Sequence, residues 1–330
     1  MIEYKYDVTV EVCTYNSSFQ KLLYTLQSIL TQKDISFQIV ISDDGSFNNY
    51  DEKLKVFFSN RGYSDYILNT SKYNRGTVLN CLSTLSHATG KYIKGISPGD
   101  MLYDSYVLSR LYNQAEEEKA EIIFAVADCY SLKNGVHLTE DRILPRRLDV
   151  YMQSQYDQQV EYFLSNDVPL GAAYFIRTDT ALKYRSIIAG RIKYAEDYSV
   201  GLMLADGIKL HFFPMHMIWY ESDSGISART ADKWIKALKE DLDELHNILL
   251  ERIDTAIYPK FIKRQDLLYR ISDNLNNKIM RYIIKTIIFP LYPYYIYRGH
   301  KITTTQSKGD INKLEKLIRD VNNYLKYDKQ

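Results

Sequence analysis

Cysteine is scarce in this 330-residue chain: the three present, Cys13, Cys81 and Cys129, are odd in number and show no CxxC spacing. That excludes a disulfide framework and a thiolate zinc cluster, and it suits a reducing compartment. An excess of one charge sign is also missing, with 42 Lys plus Arg against 41 Asp plus Glu. Without a global basic field no nucleic acid is expected as a partner, and affinity for an anionic surface has to come from local clustering. The opening residues Met1-Ile2-Glu3-Tyr4-Lys5-Tyr6-Asp7 are charged and lack the apolar core of a secretory signal, so a cytoplasmic location is expected. No unbroken apolar run reaches the roughly 20 residues that a bilayer-spanning helix needs. What is present is 45% hydrophobic content, enough for a sizeable core in one large domain or two unequal ones.

Val8, Val10 and Val12 alternate as a strand, and beyond Thr14-Tyr15-Asn16 the residues Phe19, Leu22, Leu23, Leu26, Ile29 and Leu30 recur at helical spacing. Further strands are predicted over 37–42, 66–68, 92–96 and 121–127. Between them lie a helix carrying Leu79, Leu82 and Leu85, closed by Gly90, and another over 105–119. Alternation of this kind predicts a mainly parallel sheet in an α/β fold. The polar, aperiodic stretch 128–149 reads as a functional loop, in which Arg142, Arg146 and Arg147 are candidates to meet a pyrophosphate. A Gly-containing strand is expected over 170–177, then helices from Thr178 or Asp179 and from Glu196-Asp197 to Ala205, then strands over 208–212 and 217–220.

Past residue 226 the composition changes: Trp234, Leu238, Leu242, Leu245 and Leu249 form one apolar stripe with charges on the other faces. The chain is therefore divided into an α/β domain over 1–226 and a helical region over 227–330. Within the latter, the segment 278–301 carries Ile279, Ile283, Ile284, Ile287 and Ile288, interspersed with Lys278, Arg281, Lys285, Arg298 and Lys301 and broken by Pro290 and Pro293. Isoleucines on one face, cations on the other and tyrosines at the edge are what a helix lying on a membrane surface requires. A helix packed on the neighbouring domain accounts for the same stripe.

Asp43-Asp44-Gly45-Ser46 stands directly behind the strand 37–42, which puts two carboxylates and a tight turn at the edge where open α/β sheets bind ligands. Ser97-Pro98-Gly99-Asp100 follows another strand, and Glu196-Asp197 begins a later helix. Each alone is an ordinary turn or helix start; the fold would bring all three to one edge. His216 is a further possible metal ligand, although a lone histidine near a strand is more often structural. Arg229 and Lys233 are placed to reach a phosphate, or simply to begin an exposed helix.

In this order the chain resembles the family-2 glycosyltransferases of the GT-A fold. The resemblance rests on Val10-Glu11-Val12-Cys13-Thr14-Tyr15-Asn16, Asp43-Asp44-Gly45-Ser46, Asn74-Arg75-Gly76, Gly90-Lys91-Tyr92-Ile93-Lys94-Gly95-Ile96-Ser97-Pro98-Gly99-Asp100 and Tyr194-Ala195-Glu196-Asp197, and covers about residues 6–225. It implies a nucleotide-sugar donor of the UDP or dTDP type, with Thr14, Tyr15, Asn16, Asp43, Asp44, Asn74 and Gly76 forming the nucleotide site. An ionised carboxylate such as Asp44 accepts only, which suits an imide N–H or ribose hydroxyls. Asp100 matches the metal-binding acid, for Mg²⁺ or Mn²⁺ against the diphosphate, though it is the only acid left of the family's Asp-x-Asp-Asp. Asp197 matches the general base of an inverting transfer, with Glu196, Gly171 and Arg229 as acceptor or phosphate contacts. By analogy the acceptor is a saccharide, lipid-linked as in assembly of a bacterial O-antigen or capsule, reached at the inner face of the cell membrane. The rival is a catalytically inert GT-A-like binding or scaffolding subunit whose metal motif has decayed.

Overall fold

The structure is a computed structural model that describes residues 3–139, 145, 147–165, 167–223, 231–299 and 309–327. Its first half is a series of parallel β-loop-α units. β1 (Tyr6–Thr14) leads to α1 (Phe19–Leu30), β2 (Phe37–Asp43) to α2 (Asp51–Ser59), and β3 (Tyr66–Thr70) to α3 (Thr77–Leu85). β4 (Gly90–Ile96) then returns beside β1. Val8, Val10 and Val12 are fully buried on one face of β1, and Thr9 and Glu11 are buried on the other. A strand covered on both faces is the mark of a parallel sheet flanked by helices.

The second half is mixed. β5 (Met101–Leu102), α4 (Val107–Glu118), β6 (Ile122–Ser131), β7 (His137–Leu138), α5 (Leu148–Tyr151) and α6 (Gln155–Val160) come first. A π-turn over Glu161–Ser165 and a 3-10 turn over Gly171–Ala173 lead into β8 (Tyr174–Arg177), which runs antiparallel between β4 and β6. α7 (Thr178–Ile188), α8 (Tyr198–Ala205) and β9 (His211–Glu221) follow, β9 running parallel to β6. The order across the sheet is β3-β2-β1-β4-β8-β6-β9-β5, with β7 on β6.

Several expected boundaries move. Gly90 begins β4 rather than closing α3, and Gly171 sits in the 3-10 turn rather than in a strand. The stretch expected to be a loop from 128 onward first continues β6 and then turns back as β7. The two strands expected over 208–220 are one, β9.

The C-terminal helices are α9 (Asp232–Glu251), α10 (Pro259–Asn274), α11 (Lys278–Ile288), α12 (Tyr292–Gly299) and α13 (Ile311–Tyr327). They are built into the body. Leu245, Ile248, Leu249, Phe261, Ile262 and Leu268 share a core with β6, β8, α7 and α8, whereas Leu314, Ile318 and Val321 of α13 share the core behind β1 and α1. Asn322 accepts hydrogen bonds from the Gln20 amide and the Tyr24 hydroxyl, both 2.8 Å, and the Arg61 guanidinium stacks 4.3 Å from the Tyr324 ring centre. Among the described residues no helix is long and apolar enough to cross a membrane.

Candidate active site

The carboxyl ends of β1, β2 and β4 lie side by side, since Thr14 pairs with Asp43 and Val12 with both Ile41 and Ile96. The loops beyond them are laced together. Asp43 accepts from the Ser46 amide (2.8 Å) and hydroxyl (2.6 Å), and the Ser46 oxygen accepts from the Asn16 amide (2.7 Å). Asn16 adopts the left-handed conformation (φ 50°), which Asn tolerates, and its side-chain oxygen takes the Phe47 amide at 2.9 Å. Thr14 is buried, its carbonyl accepting the Asp44 amide, while Tyr15 and Asn74 are exposed.

Asp44 does something other than wait for a ligand. Its carboxylate is buried and accepts from the Arg75 amide (2.9 and 3.0 Å) and the Gly76 amide (2.9 Å). It builds the wall of the site by fixing the 74–76 loop. Gly76 has φ 94°, and a Cβ there would lie 2.5 Å from the Lys193 side chain and 2.6 Å from its carbonyl oxygen. Only glycine lets this loop press onto the segment that leads to Glu196.

Asp100 lies beyond β4, 3% exposed, accepting the Glu221 amide at 2.9 Å. Burial pushes its carboxyl up to about 7, and the nearby Glu221 charge adds to the rise against the pull of that amide and of Lys94. Lys94 is fully buried and donates to the Gly95 and Ala172 carbonyls, both at 2.6 Å. Burial pulls its ammonium down to about 7, while Asp100 and Glu11 oppose that. Lys21 pairs with Glu221 at 2.8 Å.

The 3-10 turn links this corner to the acidic pair. Ala172 receives Lys94, and a Cβ on its neighbour Gly171 would sit 3.3 Å from the Asp197 carboxylate. Glu196 and Asp197 are half-buried at the start of α8, where the Asp197 side chain makes no capping bond. Burial, then the Asp197 charge, push the Glu196 carboxyl well above the ordinary glutamate range despite the Arg185 cation. Burial raises Asp197 as well, two backbone amides pulling the other way and Asp241 adding to the rise. Two carboxyl groups this close share protons as a pair, and the ionised member is a stronger base than an ordinary aspartate. Beneath them Arg185 donates to both oxygens of Glu11 at 3.0 and 2.8 Å, all buried. Burial disfavours the guanidinium charge, but Glu11 outweighs that and Arg185 stays above its ordinary value.

Thus Asp197 lies against Gly171, Lys94 links the next residue, Ala172, to the corner that holds Asp100, and Gly76 packs Lys193 against the loop that Asp44 fixes. Other expected contributors fall elsewhere. Arg147 is buried and bonded to Glu161 at 3.0 Å, so it is a core ion and not a pyrophosphate contact. His216 pairs with Asp128 at 2.6 Å and stacks on Tyr103, which makes it structural. Lys233 lies over the Trp234 ring at 5.7 Å. Arg142, Arg146 and Arg229 are outside the described residues. Glu11, Cys13 and Cys81 bring ligand atoms within 4.8 Å of one another. Glu11 is bonded to Arg185, however, and both thiols lie above their ordinary value, so this group does not suit a hard cation. A cleft of about 490 Å³ lined by Glu121, Lys183, Asp206 and His211 lies by the opposite, amino-terminal end of β6 and contains none of the acidic constellation.

Lys94, Arg185, Glu221 and Asp241 were not expected from the sequence. Lys94, like Glu11, carries a readable signal, a charge in the interior of a strand with no polar residue directly beside it in the chain. Arg185 and Asp241 carry none, because their partners are 174 and 46 to 48 residues away.

A sheet that is parallel in its first half and mixed in its second, with laced loops at its carboxyl edge, has the architecture of a GT-A-type glycosyltransferase. The sequence model of glycosyl transferase family 2 matches residues 9–177, more than half of the 330, and the chain belongs to that family. No curated protein matches the chain by sequence. Among solved structures, S. aureus TarS 1–349 is similar with a TM-score of 0.55 at 17% identity, over 87% of this chain and 80% of that one. TarS in complex with UDP gives 0.56 at 14% identity over 89% of each chain. TarS in complex with UDP-GlcNAc gives 0.58 at 16% identity over 89% of this chain and 82% of that one. At such identities the likeness is one of fold.

Proposed function

We propose that this glycosyltransferase moves a sugar from a UDP-type donor to a saccharide acceptor with inversion, Asp197 acting as general base. The single observation behind this reading is the placement of Asp197. Its carboxylate has a raised proton affinity, packs directly on the Gly171 backbone, and follows the Lys193 segment on which Gly76 packs. The acceptor hydroxyl gives its proton to Asp197 as its oxygen attacks the anomeric carbon, and the nucleoside diphosphate departs from the opposite face. Glu196, whose proton affinity burial and the Asp197 charge raise, is suited in its protonated form to donate a hydrogen bond to a substrate oxygen. The UDP and UDP-GlcNAc complexes of TarS support a uridine donor here.

The residues fit a divalent cation. Asp100 is a buried carboxylate at a strand end, bonded to the Glu221 backbone amide, and hard cations take oxygen ligands. Asp100 would hold Mg²⁺ or Mn²⁺, which when bound neutralises charge on the leaving diphosphate.

The membrane surface completes the proposal. No residue of α11 is buried, and Ile279 (72% exposed), Ile283 (45%) and Ile287 (73%) point outward, followed by exposed Leu291, Tyr294 and Tyr297. Two of the cations are engaged within the protein: Arg281 donates to the Leu275 carbonyl, and Lys285 lies 5.3 Å from the Tyr292 ring centre. An outward apolar strip suits shallow insertion at a bilayer surface and places a lipid-linked acceptor within reach. The enzyme then works at the inner face of the cell membrane as a peripheral protein in surface-polysaccharide assembly.

A thermal-stability screen of nucleotide sugars tests the donor. A UDP-sugar at about 100 times its Kd is expected to add about 2.7 kcal/mol of apparent stability by mass action, with guanosine and cytidine sugars inert. Equal stabilisation by every nucleotide, or by none, rejects the donor assignment.

A further inference from the structure

Asp241 lies in α9, within the C-terminal helical region, and is 4% exposed. One of its oxygens accepts the Lys193 amide at 2.8 Å; the other accepts the Tyr194 amide at 2.7 Å and the Ala195 amide at 3.1 Å. Three successive backbone donors thus converge on one buried carboxylate, and the next two residues are Glu196 and Asp197. The same loop is gripped from the nucleotide side, where the Lys193 carbonyl accepts the Val78 amide at 3.1 Å and Gly76 packs on Lys193. α9 is anchored in turn by Leu245, Ile248 and Leu249 in the second core.

We propose that Asp241 is a positioning residue for the transfer: from the C-terminal region it fixes the loop that aims Glu196 and Asp197, and sets a negative charge behind them. This rests on the reading of Asp197 as the base. Asp241 touches no substrate; it acts by denying the 193–195 backbone any other conformation. Without it three successive amides, that of Ala195 buried, lose their acceptor, and the loop must turn to satisfy them.

Its charge also acts. Asp197 is faced by Glu196 beside it, Tyr198 on its own helix, Tyr162 from the π-turn, Tyr174 of β8 and Asp241 of α9, with Arg185 of α7 and Glu11 of β1 behind Glu196. Burial holds the three tyrosines neutral and Arg185 remains charged, so the groups here whose proton affinity the site raises into play are Glu196 and Asp197. Removing the Asp241 charge makes Asp197 easier to ionise, which moves the acid limb of kcat/KM to lower pH.

Asp241→Asn in the full chain, with a UDP-sugar donor, is expected to lower kcat on the order of 10²-fold with donor KM changed by no more than about threefold. The acid limb moves down in pH. Leu245→Ala, which loosens the same helix without removing charge, is expected to lower Tm and leave the limb in place. An Asp241→Asn enzyme with unchanged kcat and limb overturns the proposal, as does a Leu245→Ala enzyme whose limb moves equally. Hydrogen exchange on the unliganded wild type decides even if Asp241→Asn does not fold. Slow exchange at the amides of Lys193, Tyr194 and Ala195 is expected, and fast exchange at all three overturns it. That readout needs no catalysis, so it fails separately from the assignment of Asp197.

Discussion

Asp197→Asn is expected to cut sugar transfer by about 10²- to 10⁴-fold while UDP binds within about twofold of the wild type. The split follows from where Asp197 sits. Its neighbours are Gly171, Glu196 and the tyrosines of the π-turn and β8, whereas the loops proposed to receive the nucleotide are held by Asp43, Asp44 and Ser46 through bonds that Asp197 does not share. Asparagine keeps the shape and removes the proton acceptor. Turnover is checked with a radiolabelled donor and UDP affinity by calorimetry; undiminished turnover removes Asp197 from its role. The wild-type pH profile should agree in sign. A base must be ionised to act, and the raised Asp197 value means that activity falls as pH drops through a point above the ordinary aspartate range.

The second large effect is on location. Replacing Ile279, Ile283 and Ile287 together by Glu is expected to abolish sedimentation with liposomes while leaving UDP binding intact. Burying one isoleucine contributes about 1.5 kcal/mol at the low end, so three amount to on the order of 4 kcal/mol, about a thousandfold in partitioning. The three positions are exposed and fold no core, so stability should not suffer. Truncation at Lys278 is the less informative variant, because it also removes α13, whose Leu314, Ile318 and Val321 are buried in the core behind β1. Because Arg281 and Lys285 are engaged within the protein, high salt should weaken binding only slightly. Unchanged sedimentation of the triple variant contradicts the membrane assignment.

How much of this was legible in the chain differs from element to element. The alternation of Val8, Val10 and Val12 and the turn at Asp43-Asp44-Gly45-Ser46 announce a strand and its carboxyl-edge loop through local chemistry alone, and both stand where that chemistry puts them. The parallel expectation fails at β8, a strand of four residues whose antiparallel place between β4 and β6 depends on which edges are left to pair. α13 carries a readable stripe in Leu314, Leu317, Ile318 and Val321, but its docking site on α1 lies some 300 residues away and has no local signature. The site shows the same limit. Asp44 is recognisable as a carboxylate at a ligand-binding edge, yet its bonds to the 75–76 amides exist only once the loops meet. Asp241 reads as one more acid on the polar side of a helix; only the fold turns it toward the 193–195 backbone.

The central claim is that segments far apart in the chain meet around one sugar nucleotide. Hydrogen exchange with and without a UDP-sugar and Mn²⁺ tests it most directly. The account predicts that exchange slows together in the segments around residues 44–46, 75–78, 97–100 and 193–198. Protection confined to one of these segments, or found in none of them at saturating donor, contradicts it.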